Sequence, residues 1–375
     1  MIIMSARSVD KFTQLTVQAC ILLFIGLYRA NASAEADVLK ETRYLMGTLL
    51  EITLVSVPGS NSRDILEGAF KVVADQESML SNYIGESELS RFNQRGRLES
   101  PSQAFLHFLS LSQSLVKSTR GKFNPGIRPL VELWDKSQVS GEPPSAAAIL
   151  EAKKCLGAWP IIDGQGVLRS ACPGFKLESG GIGKGYAVDL LVRYLRQSGV
   201  TSALIHFGRS SSFALGNGPD GKPWRLVIEF DEAMPLGEIL IRDLALSASS
   251  SMGKTFTAGS RKYGHIINPA SGMPLEAKIQ AVVAAGSATE AEAWSKAALI
   301  CDDSDCSDLD PAPLPWRLLE KEGEINVTSG PSCSRPGSCL EFTRIERAKP
   351  LESPSVPGPH LKEPRPCPER ASSLP

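Results

Sequence analysis

Between residues 47 and 57 the run GTLLEITLVSV is rich in Leu, Ile, Val and Thr and predicts a β-strand. The period then changes. Ile65, Leu66, Ala69, Phe70 and Val73 recur at helical spacing and predict a helix over 63–80. A second helix is expected over 101–122, with Ser102 as cap and Gly121 as stop, and His107 rides on it as an ordinary surface or part-buried histidine. A third is expected over 145–157 and a fourth from Lys184 to Gln197, closed by Gly199. Strands follow at 202–208, 224–230, 238–246 and 279–285, then a helix near 289–300 and a hairpin at 316–330 with a Glu-Gly turn. Helices set between blocks of strands predict an α+β fold with mixed or antiparallel sheets and packed helices, not a doubly wound one. There is no internal repeat. Residues 331–375 are Pro/Ser-rich without period, which predicts a disordered tail.

Composition changes this picture little. The chain is 42% apolar and 22% charged, enough for a sizeable core. A net charge of -1 gives no basic footprint, so no nucleic-acid partner is expected. The first residues matter more. MIIMSARSVDKFTQ carries Arg7 and Lys11, LTVQACILLFIGLY is an apolar run short for a bilayer span, and ANASA supplies small residues spaced A-x-A. The reading is a signal peptide over 1–34, cleaved near Ala34; Asp10 and Arg29 leave an uncleaved anchor as the alternative. Either way the protein is expected to be exported, in the periplasm or on the outer face of the inner membrane. Cys20 lies inside the apolar run, so a lipoprotein is not expected. Export permits disulfides; Cys301 with Cys306, or Cys333 with Cys339, are conceivable pairs, and no cysteine cluster has zinc spacing.

The candidate chemistry centres on KLESGGIGKGYAVDLLVRYL, residues 176–195. It is not a Walker P-loop, because Gly185 stands where the magnesium-binding hydroxyl belongs. It is not a dinucleotide fingerprint, because glycines 181, 183 and 185 alternate and no strand with a ribose-binding acid follows. A glycine-rich approach to a helix N-terminus still suits an anion. A tight turn before an amphipathic helix is the plainer alternative.

The neighbouring segments occur in a telling order. They are RYLMGTLLEITL (43–54), SNYIGESELSRFN (81–93), GKFNPGIRPLVELW (121–134), LESGGIGKGYAVD (177–189), SASSSMGKTF (247–256), YGHIINPASGMP (263–274) and ATEAEAWSKAAL (288–299). Together they resemble the FAD:protein FMN transferase family, known as ApbE, over roughly residues 40–330, with GGIGKGYAVD and GHIINPASGMP the most specific pieces. The resemblance implies a domain that binds FAD and moves its FMN half onto a Thr or Ser hydroxyl of an acceptor protein. AMP leaves, and Mg2+ bridges the pyrophosphate. Acceptors are typically subunits of membrane redox complexes.

Residue by residue, the resemblance makes Lys184 a phosphate contact, residues 180–183 a backbone cradle and Gly181 a carbonyl ligand for the metal. Glu178 takes the place of a family aspartate that contacts the nucleotide. Met46 packs on FAD, Tyr83 and Trp134 lie near its rings, Phe123 and Asn124 fall on a contacting turn, and Ser250 sits in a Ser249-Ser250-Ser251 turn where the family reads TSG. His265 is the expected catalytic group, taking the acceptor's proton or polarising a phosphoryl oxygen. His206 is weaker, and His360 carries no signal.

The departures bear on activity. Asn124 and Asn268 replace aspartates, and His206-Phe207-Gly208-Arg209-Ser210 replaces Asn-Ala-Gly-Gly-Asp. The family's A-D-A-x-x-T metal segment reads here with Glu292 and Lys296, Ser295 lying between. An ammonium cannot ligate a metal. Three arrangements stay open: Lys296 paired with Glu292 as a fixed charge, magnesium kept on Glu292, Ser295 and a backbone carbonyl, or an i,i+4 ion pair on a solvated helix. Two other functions compete with transfer: an impaired FAD-binding protein, and an FAD pyrophosphatase in which water attacks.

Overall fold

The computed structural model describes residues 37–56, 61–231, 234–251, 253–276, 278–301, 316–321, 324–329 and 339–344. The 1–34 segment lies outside them.

Eight strands form the central sheet in the order β1 (Asp37–Leu45), β2 (Thr48–Ser56), β6 (Ala203–Phe207), β7 (Ser211–Leu215), β10 (Leu244–Ser250), β13 (Ile279–Ala285), β14 (Trp316–Lys321) and β15 (Glu324–Ser329). Every neighbour in it is antiparallel. The expected α+β class with antiparallel sheets and packed helices is thereby observed. A short sheet of β3 (Arg97–Leu98), β5 (Leu168–Arg169) and β4 (Ile161–Ile162) stands apart.

One face of the sheet is covered by α1 (Ser62–Leu80), α6 (Gly183–Gln197) and α7 (Ala288–Ile300), around Ile52, Phe70, Leu191, Ile205 and Val283. The other face packs on a second sheet of β16 (Cys339–Arg344), β9 (Met234–Arg242) and β8 (Trp224–Asp231), through Ile239, Ile241, Val282 and Ala284. Strand β13 is therefore buried on both sides, which is why IQAVVAA, apolar except for Gln280, shows no alternation.

Ser102 caps α3 (Gln103–Ser118) as expected, accepting from Phe105 N, and Ser145 likewise accepts from Ala148 N at the start of α5 (Ala146–Lys153). Two expectations are corrected. The single strand over 238–246 is broken at Asp243, whose backbone turns left-handed (φ 53°) and sends β9 and β10 into different sheets. The stretch from 331 on, read as a disordered tail, contributes β16, which pairs with β9 from Cys339↔Arg242 to Arg344↔Gly237. Two helices went unforeseen, α2 (Glu88–Arg95) and α4 (Arg128–Ser140). Cys155 and Cys172 form a disulfide not foreseen either. Cys301 is also disulfide-bonded, and Cys306 lies outside the described residues.

Helices α6 and α7 cross at Gly185, where a Cβ would stand 2.6 Å from the Ala288 carbonyl oxygen and 2.9 Å from Thr289 Cα. Asp189, on the same helix, accepts from the backbone N–H groups of Ala288 (2.7 Å) and Thr289 (3.0 Å) at the start of α7. Substituting Gly185→Ala forces these helices apart and is expected to cost about 1–3 kcal/mol, read as a fall in the urea midpoint. An unchanged midpoint would show that the crossing yields freely.

Candidate functional site

A small apolar cluster of Leu130, Trp134, Ala258, Tyr263 and Ile267 joins α4 to the hairpin β11 (Thr255–Ala258) and β12 (Arg261–Gly264). Between this cluster and the start of α6 lies a pocket of about 410 Å³. Its walls come from four separate parts of the chain: 122–138, 178–181, 254–274 and the end of α7. Phe123, Ile127, Trp134, Phe256 and Ile267 make it apolar, while Lys122, Asp135, Glu178, Lys254, His265 and Lys296 bring charge or titratable groups to it.

The glycine turn and the histidine face the same space: Gly180, Gly181 and His265 all line this pocket. Gly181 packs closely on Phe123, whose ring carbon lies 3.0 Å from where a Cβ would sit. Glu178 holds the turn from inside. One carboxylate oxygen accepts from Gly180 N (2.8 Å) and Asn82 Nδ2 (3.1 Å), and the other from Arg128 (2.8 Å). Asn124 also lines the pocket, but its amide serves the turn, donating to the Leu156 carbonyl and accepting from Gly126 N. Trp134 is buried, with its indole N–H on the Gly272 carbonyl (2.9 Å), and contributes wall.

His265 is open to the pocket, with Nδ1 3.3 Å from the Lys254 carbonyl oxygen. A carbonyl only accepts, so Nδ1 carries the hydrogen and Nε2 keeps its lone pair. Desolvation pushes the imidazole pKa below its ordinary value; the Lys254 carbonyl opposes this, and the charges of Lys254 and Lys296 reinforce it. Ser250 and His265 both approach Gly253, where a Cβ would be 3.8 Å from Ser250 Cβ and 3.7 Å from His265 Cε1, but Ser250 is not in the pocket wall.

Several expected residues are not in the pocket wall. Met46 packs at the head of α6, 3.4 Å from where Gly183 would carry a Cβ. Tyr83 is 93% exposed. His206 pairs with Ser212 across β6 and β7 and lines a different cleft. Lys184, expected on phosphate, instead points to Glu292, its Nζ 3.3 Å from Oε1. His107 is 3.1 Å from the Tyr186 hydroxyl, and His360 lies outside the described residues.

Glu292 is fully buried, and α7 is a buried helix, so the solvated-helix arrangement is excluded. Its Oε1 also accepts from the Ser211 hydroxyl, while Oε2 has no hydrogen-bond partner. Burial opposes its charge; Lys184 above all, then Lys296, Ser211 and the Gly185 N–H, outweigh that and hold the carboxyl below its usual range. Lys296 does not bond this carboxylate. Its Nζ donates to the Glu292 main-chain carbonyl (3.2 Å), and its stem passes Gly181, Cδ lying 3.8 Å from a Cβ placed there. Burial and Lys184, against the pull of Glu292, bring the Lys296 pKa down to about 8, so it is mostly charged at neutral pH.

Magnesium does not fit these residues. Ser295 donates to the Glu292 carbonyl and shares its remaining bonds with Ser247 and Ser249, which leaves no lone pair for a metal. One carboxylate remains, already between two ammonium groups. Among the described residues no group of three or more His, Cys, Asp or Glu could hold a metal ion.

Sequence reasoning missed Arg128, Ser211 and Lys254. Arg128 and Glu132 at i,i+4 gave a signal for a charged pair; nothing local marked the other two.

Solved structures that share this architecture include flavin transferases. The *Vibrio cholerae* flavin transferase ApbE superposes with a TM-score of 0.67 at 22% identity, covering 79% of this chain and 98% of that one. The *Thermotoga maritima* ApbE protein gives 0.69 at 22% identity over 77% and 96%. The ApbE family profile matches residues 46–309, and the chain belongs to the ApbE family. Among its relatives, the FAD:protein FMN transferase of *Escherichia coli* K12 is 27% identical over 305 residues, 77% of this chain and 86% of that protein. That of *Klebsiella pneumoniae* is 27% identical over 292 residues, 74% and 83%.

Proposed function

We propose that this protein is an FAD:protein FMN transferase. The observation that carries the reading is the convergence of Gly180, Gly181 and His265 on one apolar-walled pocket, in a chain of the ApbE family. The apolar walls suit a flavin ring, and the glycine turn lets backbone approach a pyrophosphate closely. His265 Nε2 takes the proton of an acceptor Thr or Ser hydroxyl. That oxygen bonds to the phosphorus of the FMN half, the bond from this phosphorus to the bridging oxygen breaks, and AMP leaves with the bridging oxygen. The acceptor is a protein, and a subunit of a membrane redox complex fits an exported enzyme. Export itself rests on the 1–34 segment and is supported by the Cys155–Cys172 disulfide.

Incubating the chain from residue 35 onward with FAD and a Thr-bearing acceptor is expected to yield covalently fluorescent acceptor and AMP in equal amounts. AMP without labelling would mean a pyrophosphatase, and bound FAD with neither product a binding protein. The pH profile is a further check. The histidine's pKa lies below its usual value of about 6.5, so on the acid side of neutral kcat/KM should stay level to lower pH than an ordinary imidazole would allow, while Lys296 stays mostly charged. On that side kcat/KM should fall only as the imidazole takes up a proton at more acidic pH. An acid limb centred above the usual histidine value would contradict this.

A further inference from the structure

Two phosphates in a dinucleotide bring two negative charges that resist an incoming oxygen, so the pocket must meet them with positive charge. Of the cations near the glycine turn, Lys184 is spent on the Glu292 carboxylate. Lys296 is not: its one hydrogen bond goes to a neutral carbonyl, which leaves two of its three N–H groups uncommitted. It lines the pocket with Gly180, Gly181 and His265, and its charge reaches the imidazole. The hydroxyls of Ser247 and Ser249 on β10 bond Ser295 of α7 at 3.2 and 2.8 Å, tying to the sheet the helix turn that carries Lys296. Lys184 and Glu292 offset each other outside the wall, while the wall itself carries the ammonium groups of Lys122, Lys254 and Lys296 against the carboxylates of Asp135 and Glu178, one positive charge over.

We propose that Lys296 is the cation for the bridging phosphates, a protein ammonium in the role a divalent ion would otherwise fill, so that FAD binds and is cleaved without added metal. This rests on the transferase reading above. The absence of a usable metal donor set and the presence of this uncommitted ammonium are two aspects of the same wall. Lys296 neutralises charge as the phosphorus is attacked; it forms no bond to the reacting atoms.

The test is FAD affinity, followed by flavin fluorescence, in EDTA and in excess magnesium. The unaltered protein is expected to bind FAD equally in both. Lys296→Met should weaken FAD binding by about tenfold or more in EDTA and leave riboflavin, which lacks the pyrophosphate, bound within about twofold. Lys296→Arg should keep most of the FAD affinity. A tenfold gain in FAD affinity of the unaltered protein on adding magnesium overturns the proposal and leaves the transferase reading standing. Equal losses of FAD and riboflavin in Lys296→Met, with Lys296→Arg also weak, assign the residue a packing role and overturn it too. No FAD binding under either condition overturns the transferase reading and this proposal with it.

Discussion

Replacing His265 with Ala is expected to lower the rate of flavin transfer by about 10²–10⁴-fold while changing FAD affinity little. The imidazole lines the pocket and is exposed, held by one hydrogen bond from Nδ1 to the Lys254 carbonyl. That bond selects the tautomer with Nε2 free, and the lowered pKa keeps it so at neutral pH. Removing the ring deletes the proton acceptor but none of the apolar wall that would hold a flavin, namely Phe123, Ile127 and Trp134. Single-turnover release of AMP, measured beside FAD binding, separates these effects. A rate within about threefold of the unaltered protein, far inside the range for a lost general base, would remove His265 from the chemistry.

Replacing Lys184 with Met is expected to destabilise the fold by about 3 kcal/mol at neutral pH. Glu292 has no exposure to water, and one of its oxygens has no hydrogen-bond partner, so its charge depends on the ammonium 3.3 Å away. Taking away one member of a buried pair strands the other. The sign with pH follows. In the native protein the carboxyl's pKa is depressed, so its contribution is present above the ordinary carboxylate value and is lost as pH falls through the lower, folded one. In Lys184→Met the leading partner is gone and burial pushes the carboxyl up, so the penalty is largest at neutral pH and shrinks as acid protonates Glu292. Urea unfolding at pH 7 and pH 5 reads both parts. A loss below about 1 kcal/mol, the worth of an exposed ion pair, would mean that Lys184 and Glu292 do not depend on each other.

Much of the fold was legible because its signals are local. Helices α1, α3, α5, α6 and α7 follow from apolar spacing or from caps such as Ser102 on α3 and Ser145 on α5, which act within three residues of themselves. Strand β16 was not legible, because its hydrogen bonds go to β9, about a hundred positions earlier, and a Pro/Ser-rich context hides it. The break at Asp243 was missed for a related reason. IRDLAL reads as one strand, and only the presence of two separate sheets requires the chain to turn there.

The site divides along the same line. The order of motifs from Met46 to Lys296 was enough to name the family and to single out His265, the glycine turn and the altered metal segment, since residue types and their spacing are properties of the chain itself. Which lysine meets which charge is not. Spacing of i,i+4 on α7 allowed a bond between Glu292 and Lys296, yet the carboxylate is taken by Lys184 from another helix, and Lys296 is left beside Gly181. That outcome was set by the crossing of α6 on α7 at Gly185, because a buried charge pairs with whatever the packing brings within reach, regardless of its distance along the sequence.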